Sequence, residues 1–221
     1  MSTEEDTTVW GLDPATRKPL PRGRHALSRE TVIASQRGRM LHAVLVATAR
    51  KGFGYVVIGD IIAEAGVSRK AFYEHFADFE DCWFQAYETA QALLFEHMVA
   101  AAADADGGDP LVVLKAAIAV LTQAAADEPE VSHATAVDVM GGGPEGLKAH
   151  QETLHRWANL LLLTWDHKSA SESSEQRRFA AMAAVSVVTG TIRDHLVAGT
   201  AEQLPGLSDQ VSEMMATVLS K

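Results

Sequence analysis

The stretch GVSRKAFYEHF, Gly66 to Phe76, places side chains that can contact nucleic acid next to side chains that belong in a core. On a helix that begins after Ser68, at about 100° per residue, Phe72 and Phe76 share one face and predict a buried stripe, which Val67 joins from the preceding turn. Lys70, Ala71 and Glu74 are predicted to lie opposite this stripe, Arg69 and Tyr73 on one flank, and His75 on the other. Cations, a phenol and an imidazole near a helix N-terminus are groups that bind phosphates and base edges.

A second short helix is predicted just before this one, from Ile58 to Ala65. Gly66 suits the left-handed conformation of a helix C-cap, and Ser68 is a typical N-cap for the helix that follows. Two short helices joined by a glycine-containing turn of about three residues predict a helix-turn-helix, whose second helix lies in the major groove of DNA. The alternative is a plain helical hairpin with a mixed surface.

The charge is distributed unevenly along the chain. The formal net charge of the 221 residues is -10, which by itself argues against a polyanionic partner. Residues 17 to 76, however, carry eleven Lys and Arg against four acidic residues, whereas residues 77 to 221 carry eight against twenty-one. A basic segment joined to an acidic one is expected when one end of a protein faces nucleic acid. A chance clustering of surface charge is the alternative.

The first 27 residues are predicted to form a flexible basic arm. They contain three prolines and show no steady apolar period. Arg22 and Arg24, near the end of the arm, are candidates to follow a phosphate backbone or to enter a minor groove. The alternative is a solvated tail without a DNA contact.

The rest of the chain is predicted to be all-α. Apolar residues recur at three- and four-residue steps from Ser28 to Gly52, and no two-residue alternation continues long enough for a sheet. The helices predicted after the helix-turn-helix cover residues 78–104, 110–126, 130–140, 144–167, 174–198 and 208–220. These patterns predict an N-terminal three-helix DNA-binding domain over residues 28–77 and a larger C-terminal helical domain over residues 78–221.

The run GDIIAEAGVSRKAFYEHFADFEDCW, residues 59–83, resembles the DNA-binding domain of the TetR family of transcriptional regulators. The likeness covers about residues 35 to 85, and the preceding stretch RGRHALSRETVIASQRGR resembles some actinobacterial members. The residues that follow the family pattern are Asp60, Ile61, Ala65, Gly66, Val67, Ser68, Phe72, Tyr73, His75 and Phe76.

The resemblance implies a set of DNA contacts: phosphate contacts from Tyr73 and His75, phosphate or base contacts from Ser68 and Lys70, and sequence reading by Arg69 or Ala71. The chain departs from the family pattern at Val57, where a Thr or Ser usually caps the helix and touches phosphate. Glu74 is either an acceptor for a cytosine amino group or a bystander.

For the C-terminal half, the resemblance implies a homodimer with a ligand pocket. The protein would then be a repressor that leaves its double-stranded DNA operator when a small-molecule effector binds, with activation as the alternative. Candidate dimer residues are Phe179, Met182, Val185, Val188, Ile192, Met214, Met215 and Val218. Candidate pocket residues are Phe95, Met98, Leu121, Met140, Trp157, Leu161 and Trp165. Both sets also fit a plain core, and the few polar candidates favour an apolar or amphipathic effector.

Two other classes of protein are alternatives: a helical metal-dependent enzyme and an adaptor that keeps the fold without binding DNA. His150 and His155 are five residues apart, which does not match the four-residue spacing of two zinc ligands on a helix. We therefore expect no catalytic residue, no metal and no cofactor. Cys82 is the only cysteine, and neither an export signal nor a membrane-spanning stretch is visible, so a cytoplasmic location is expected.

Overall fold

The computed structural model describes residues 29–105, 110–164 and 174–219. Within these ranges the chain forms nine α-helices and no strand, which confirms the predicted all-α fold. The helices are α1 (Arg29–Lys51), α2 (Ile58–Ala65), α3 (Arg69–His75), α4 (Phe79–Asp104), α5 (Pro110–Asp127), α6 (Pro129–Ala136), α7 (Gly143–Thr164), α8 (Ser174–Ala198) and α9 (Leu204–Leu219). Short 3-10 turns cover Phe53–Tyr55, Asp138–Gly142 and Ala201–Gln203.

One predicted helix is shorter than expected. The helix predicted over residues 130–140 ends at Ala136, and the chain continues as the 3-10 turn Asp138–Gly142. The glycines that follow disfavour a helix, and Gly143 has a φ of 63°, a value that glycine adopts readily. The break separates α6 from α7 and lets the two helices take different directions.

The last helix begins earlier than expected. It starts at Leu204 instead of residue 208, because Pro205 occupies the first turn, where its missing N–H removes no helical hydrogen bond. Lys115 of α5 pairs with Asp209 of α9 at 2.8 Å, and Leu204 is fully buried. The helix α9 therefore packs against the outside of α5.

The helices α2 and α3 form the predicted helix-turn-helix, and α1 packs against both. Phe72 and Phe76 of the α3 region are buried, as their spacing predicts. Arg39 of α1 is also buried, and its Nη1 donates to Ala65 O at 2.5 Å and to Gly66 O at 3.5 Å. Arg39 thus satisfies carbonyl groups that the end of α2 leaves without a helical partner.

The hydrophobic core continues from these helices into the rest of the chain. The rings of Phe53 and Trp83 meet edge to face with their centroids 5.0 Å apart. Gly141 lies against Phe53 so closely that a Cβ there would come within 2.8 Å of the Phe53 Cβ. The helix α1 also packs on α4 and α6. Since no gap in the core marks a boundary, the division at residues 77 and 78 stays a prediction.

Candidate DNA-binding helix and ligand cavities

Two local features fix the turn between α2 and α3. Gly66 has a φ of 62° and a ψ of 42°, and its N–H donates to Ile62 O. Glycine adopts this left-handed conformation without strain. Ser68 caps α3, because its Oγ accepts a hydrogen bond from Ala71 N at 3.1 Å. The Ser68 hydroxyl still has its own proton to donate, so capping leaves the expected phosphate contact available.

The outer side of α3 carries polar side chains above a buried aromatic base. The Tyr73 ring is exposed and meets the buried Phe72 ring edge to face, with centroids 5.5 Å apart. Lys70 Nζ lies 3.7 Å from Glu74 Oε1 in an exposed pair, which contributes little energy and can be replaced by a phosphate. Four of the predicted DNA-contact residues are exposed on the surface of α3 and its cap, Ser68, Arg69, Lys70 and Tyr73, and a fifth, His75, is partly buried.

Ala71 does not belong to this surface, and its predicted role in reading sequence is corrected. Its side chain is only 8% exposed, beside the fully buried Phe72. Neighbouring residues on a helix are about 100° apart, so the buried face of α3 is wide enough to include both. Arg69 remains as the candidate reader of base edges. Arg22 and Arg24 lie outside the described residues.

The start of α2 shows how the chain manages without a Thr or Ser cap. Val57 has no side-chain acceptor, and its own N–H donates to Asp60 Oδ2 at 3.1 Å. Lys51 Nζ lies 2.6 Å from Asp60 Oδ1. The hydrogen bond from Lys51, followed by that from Val57, lowers the pKa of Asp60. The carboxylate of Asp60 therefore stabilises this helix end from within the protein, and Val57 offers no side-chain contact to phosphate.

An apolar cavity lies between α4, α5, α7 and α8. It is narrow, with about 50 Å³ of space for the centre of a water-sized molecule, and it is partly open to solvent. Four of the residues predicted for a ligand pocket line it: Met98, Leu121, Trp157 and Leu161. Its walls also include Leu114, Ile118, Ala184, Val185 and Val188. Such a space accepts only a slim apolar group, and a larger group would need the walls to move apart.

A second cavity of similar size adjoins the first on the side of α6. The two cavities share Leu121, Trp157 and Thr189 in their walls. The lining residues of the second one include eight with polar side chains, although most of the surface exposed to the cavity is apolar: Tyr87, Gln91, Ser132, Thr135, His150, Thr153, Thr189 and Arg193. The two cavities therefore adjoin, and most of the polar side chains around them lie on the side of α6. We call the second one the polar cavity and the first one the apolar cavity.

Two described residues that were predicted for the pocket, Phe95 and Met140, do not line it. Phe95 is partly buried and packs against the core. Its ring centroid lies 5.9 Å from the Cζ of Arg156. Met140 is exposed on the 3-10 turn Asp138–Gly142, because the helix that would have carried it inward ends at Ala136. Both predictions are corrected. Trp165 lies outside the described residues.

Solved structures, but neither family models nor curated proteins, resemble this chain. No family model matches the sequence, and no curated protein matches it. Solved structures do match. FadR from Bacillus halodurans has a TM-score of 0.71 at 16% identity, over 81% of this chain and 94% of that chain. FadR from Bacillus subtilis, solved in complex with stearoyl-CoA, has a TM-score of 0.71 at 17% identity, over 80% of this chain and 96% of that chain.

A third match is a TetR-like transcriptional regulator from Rhodococcus sp. RHA1, with a TM-score of 0.64 at 16% identity, over 84% of this chain and 96% of that chain. The protein has the fold of TetR-like transcriptional regulators. This finding confirms the resemblance that the sequence around α3 carries, and it extends the likeness from that stretch to most of the chain.

Within this TetR-like fold, two buried side chains that line the cavities each have a polar atom without a partner. Gln91 is 5% exposed and Trp157 is 9% exposed. The Gln91 Oε1 and the Trp157 Nε1 have no hydrogen-bond partner among the described residues. A buried polar atom left without a partner costs free energy. Water or a ligand in the cavities would remove that cost.

The residues that line the polar cavity include one arginine and no acid. Arg193 is half-buried and forms no ion pair with a described residue. Burial, followed by the charge of Arg193, lowers the pKa of His150, so its ring is neutral at pH 7. Tyr87 OH lies 3.0 Å from Thr153 Oγ1, and burial raises the pKa of Tyr87 to about 12, which keeps its hydroxyl protonated. None of the residues that line either cavity is Asp or Glu.

These polar residues were missed in the sequence, although a signal for them exists. Tyr87, Gln91, Leu94 and Met98 follow one another at helical spacing along α4, and the series changes from polar to apolar. The series His150, Thr153, Trp157 and Leu161 does the same along α7. Two helical faces with the same polar-to-apolar order indicate an amphipathic space between them.

The predicted dimer residues separate into two groups. Val185, Val188 and Ile192 are buried inside the protomer and line the cavities, so they are not available to a partner and this part of the prediction is corrected. Phe179, in contrast, is 76% exposed, and Val197 is exposed about five turns further along the same side of α8. The other predicted dimer residues are Met182, which is partly buried, Met214, which is exposed, and Met215 and Val218, whose side chains lie outside the described part of the structure.

Two further features of the described residues bear on the alternative classes of protein. Among the described residues, no group of three or more His, Cys, Asp or Glu side chains could hold a metal ion. His133 Nδ1 and Asp138 Oδ2, 2.8 Å apart, form a pair that connects α6 to the following turn. No helix in the described ranges is long and apolar enough to cross a membrane.

Proposed function

We propose that the protein is a sequence-specific DNA-binding transcriptional regulator, a homodimer that leaves its operator when a small molecule binds. The observation that carries this proposal is the surface of α3. Arg69, Lys70 and Tyr73 are exposed on a seven-residue helix whose other face is anchored by Phe72. Side chains of these types, held at fixed positions on a short helix, suit contacts to phosphates and to base edges in a major groove.

A dimer gives this surface its specificity. Two copies of α3 related by a two-fold axis can enter successive major grooves, about 34 Å apart, and so read a partly palindromic site. The outward side of α8 supports such an arrangement. Phe179 and Val197 are exposed there, and Ser186 and Gly190 between them are small enough to let a second helix approach.

The helix α6 supports a link between ligand and DNA. Ser132, Thr135 and Ala136 of α6 form part of the wall of the polar cavity. The same helix packs on α1, whose Arg50 pairs with Glu130 at the start of α6. We propose two conformers that differ in the position of α6, of which one binds DNA and the other binds the ligand more tightly. The ligand then lowers the affinity for DNA by the same factor by which DNA lowers the affinity for the ligand.

The effector class follows from the cavities. The FadR from Bacillus subtilis was solved with stearoyl-CoA, a ligand with a long aliphatic chain. The apolar cavity of this chain supports an effector with an aliphatic or single-ring portion, and the polar cavity supports a polar end. The protein would act in the cytoplasm, where the bacterial chromosome lies.

Selection of DNA tests the proposal. The purified protein is incubated at low salt with a pool of randomised duplexes, and the retained duplexes are sequenced. We expect an enriched inverted repeat whose half-sites are about one helical turn apart. A pool that stays random would contradict the proposal and would favour an adaptor that keeps the fold without binding DNA.

A further inference from the structure

We propose that the cavities bind a small amphipathic carboxylate, with its carboxylate in the polar cavity and its hydrocarbon tail in the apolar cavity. This inference rests on the proposed function, since it names the chemical class of the effector. Three observations carry it: the unpartnered atoms of two lining residues, the sign of the charge among the lining residues, and the position of the polar lining residues, most of which belong to the polar cavity.

The unpartnered groups indicate a ligand with a hydrogen-bonding end. The Trp157 Nε1 donor has no acceptor among the described residues, and this side chain belongs to the walls of both cavities. A carboxylate oxygen at the junction would accept from it. Gln91 can turn either its oxygen or its NH₂ toward the ligand, because rotation of the amide exchanges the two ends.

The charge of the lining selects an anion over a cation. Arg193 is the single Lys or Arg among the residues that line the polar cavity, and no Asp or Glu lines it. An arginine fork pairs with a carboxylate through two parallel hydrogen bonds. A primary ammonium group in the same place would meet the guanidinium of Arg193 without a compensating acid.

The neighbouring side chains add donors without adding negative charge. The neutral His150 ring has one N–H, and the described residues offer it no hydrogen-bond partner. The Tyr87 and Thr153 hydroxyls are bonded to each other, and Thr153 Oγ1 also lies 3.1 Å from Ala149 O. These two hydroxyls are therefore largely satisfied, which leaves Arg193, Trp157 and His150 as the groups for the carboxylate.

The size of the space limits the tail. The apolar cavity has about 50 Å³ for the centres of water-sized molecules, and its lining is apolar except for Thr189. A few water molecules, or a slim unbranched chain, fit such a volume, whereas a fused ring system does not. An unbranched acid of medium length is the simplest ligand of this class.

The test is calorimetric titration of the full chain, without DNA, with four compounds that share one tail length: octanoate, methyl octanoate, octylamine and octanoyl-CoA. We expect octanoate to bind at one site per chain, and the ester and the amine to bind at least about tenfold more weakly, because each loses a charged hydrogen bond. Octanoyl-CoA distinguishes a free acid from a thioester and is expected to bind more weakly than octanoate.

Variants locate the carboxylate. Arg193→Gln is expected to weaken octanoate binding about tenfold, and Trp157→Phe, which keeps the ring plane but removes the N–H, is expected to weaken it in the same direction. Arg177→Gln is the matched control, because Arg177 is an exposed arginine on the same helix. Thermal unfolding of each variant verifies that it is folded, and Arg193→Lys, which keeps the charge, should retain part of the affinity.

Specific results would overturn the inference. Equal binding of octanoate and octylamine would exclude the charge argument. Equal effects of Arg193→Gln and Arg177→Gln on octanoate binding would contradict a carboxylate in the polar cavity. Binding of octanoyl-CoA without binding of octanoate would contradict a free carboxylate as the ligand. Because DNA is absent from these titrations, such a failure is separate from a failure of DNA binding.

Discussion

Arg50 and Glu130 are joined by two hydrogen bonds, Nε to Oε1 at 2.7 Å and Nη2 to Oε2 at 3.2 Å. The same guanidinium reaches Glu64 Oε2 at 3.1 Å. One arginine at the end of α1 therefore connects α2 of the helix-turn-helix to the start of α6, which lines the polar cavity. Exposed pairs of this kind add little to stability, but they fix the relative positions of the elements that they join.

Replacement of Arg50 should weaken the coupling between the helix-turn-helix and α6 without unfolding the protein. Arg50→Gln is expected to change the free energy of unfolding by less than about 1 kcal/mol. In the unmodified protein, binding of the selected duplex should slow hydrogen exchange in α6, since coupling between sites is reciprocal. In the variant this protection should be lost.

Lys51→Gln is the matched control for Arg50, because Lys51 pairs with Asp60 within the helix-turn-helix and has no ion pair with α6. Protection of α6 should persist in that variant. If the two variants behave alike, the Arg50 bridge does not couple the DNA surface to the cavity.

Two glycines should respond to alanine in opposite directions. A Cβ on Gly146 would collide with Val139 O, a backbone atom, so Gly146→Ala should destabilise the protein by about 2 kcal/mol. A Cβ on Gly38 meets nothing within 4 Å inside α1, so Gly38→Ala should stabilise it by roughly 0.5 to 1 kcal/mol. Urea denaturation measures both. Equal changes in the free energy of unfolding would contradict the close contact between Gly146 and the Val139 carbonyl oxygen.

The buried histidine should make stability depend on pH. Burial, followed by the charge of Arg193, lowers the pKa of His150. The unfolded chain takes up this proton at about pH 6.5, whereas the folded chain takes it up only at lower pH. The free energy of unfolding should therefore fall as the pH is lowered below about 6.5.

His150→Gln should flatten this part of the profile, measured by urea denaturation between about pH 5 and 7. His155→Gln, at an exposed position of the same helix, is the control and should leave the profile unchanged. If the free energy of unfolding depends on pH as steeply in the His150 variant as in the unmodified protein, another group is responsible for the dependence.

The outward face of α8 should control the oligomeric state. Phe179→Asp places a charge on the exposed side of α8, where we propose that a second copy packs, and should convert a dimer to a monomer at micromolar concentration. Leu147→Asp, on an exposed side chain near the start of α7, should leave the dimer intact. Sedimentation velocity distinguishes the two states. A dimer that survives Phe179→Asp would contradict this interface.

The local features of the helix-turn-helix could be predicted because short-range chemistry determines them. The left-handed Gly66, the Ser68 cap and the buried Phe72 and Phe76 each depend on neighbours within a few residues. Ala71 was assigned to the wrong side because the width of a buried face depends on the helices packed against it. The sequence pattern alone does not contain that information.

The cavities depended on tertiary packing, and the sequence predicted them only in part. Apolar residues such as Met98 and Leu161 were found by their spacing, but the same spacing placed Val188 on the outside of α8, since periodicity defines a face without saying what covers it. Gln91 and Arg193 were missed because a polar residue on a long helix usually faces water. Only the position of α7 shows that these two face a shared space.

Duplex binding as a function of salt tests the central claim most directly. Affinities for the selected duplex are measured over a range of salt for the unmodified protein, Lys70→Ala and Lys148→Ala. Lys148 and Glu152 form an exposed pair at 3.8 Å, like the pair of Lys70 and Glu74 at 3.7 Å, but on α7. We predict that Lys70→Ala weakens binding and lowers the slope of log affinity against log salt by about two for a dimer, because one phosphate contact per subunit is lost. Lys148→Ala should change neither quantity. Absence of binding to any duplex, or equal behaviour of the two variants, would contradict the assignment of α3 as the DNA-contacting helix.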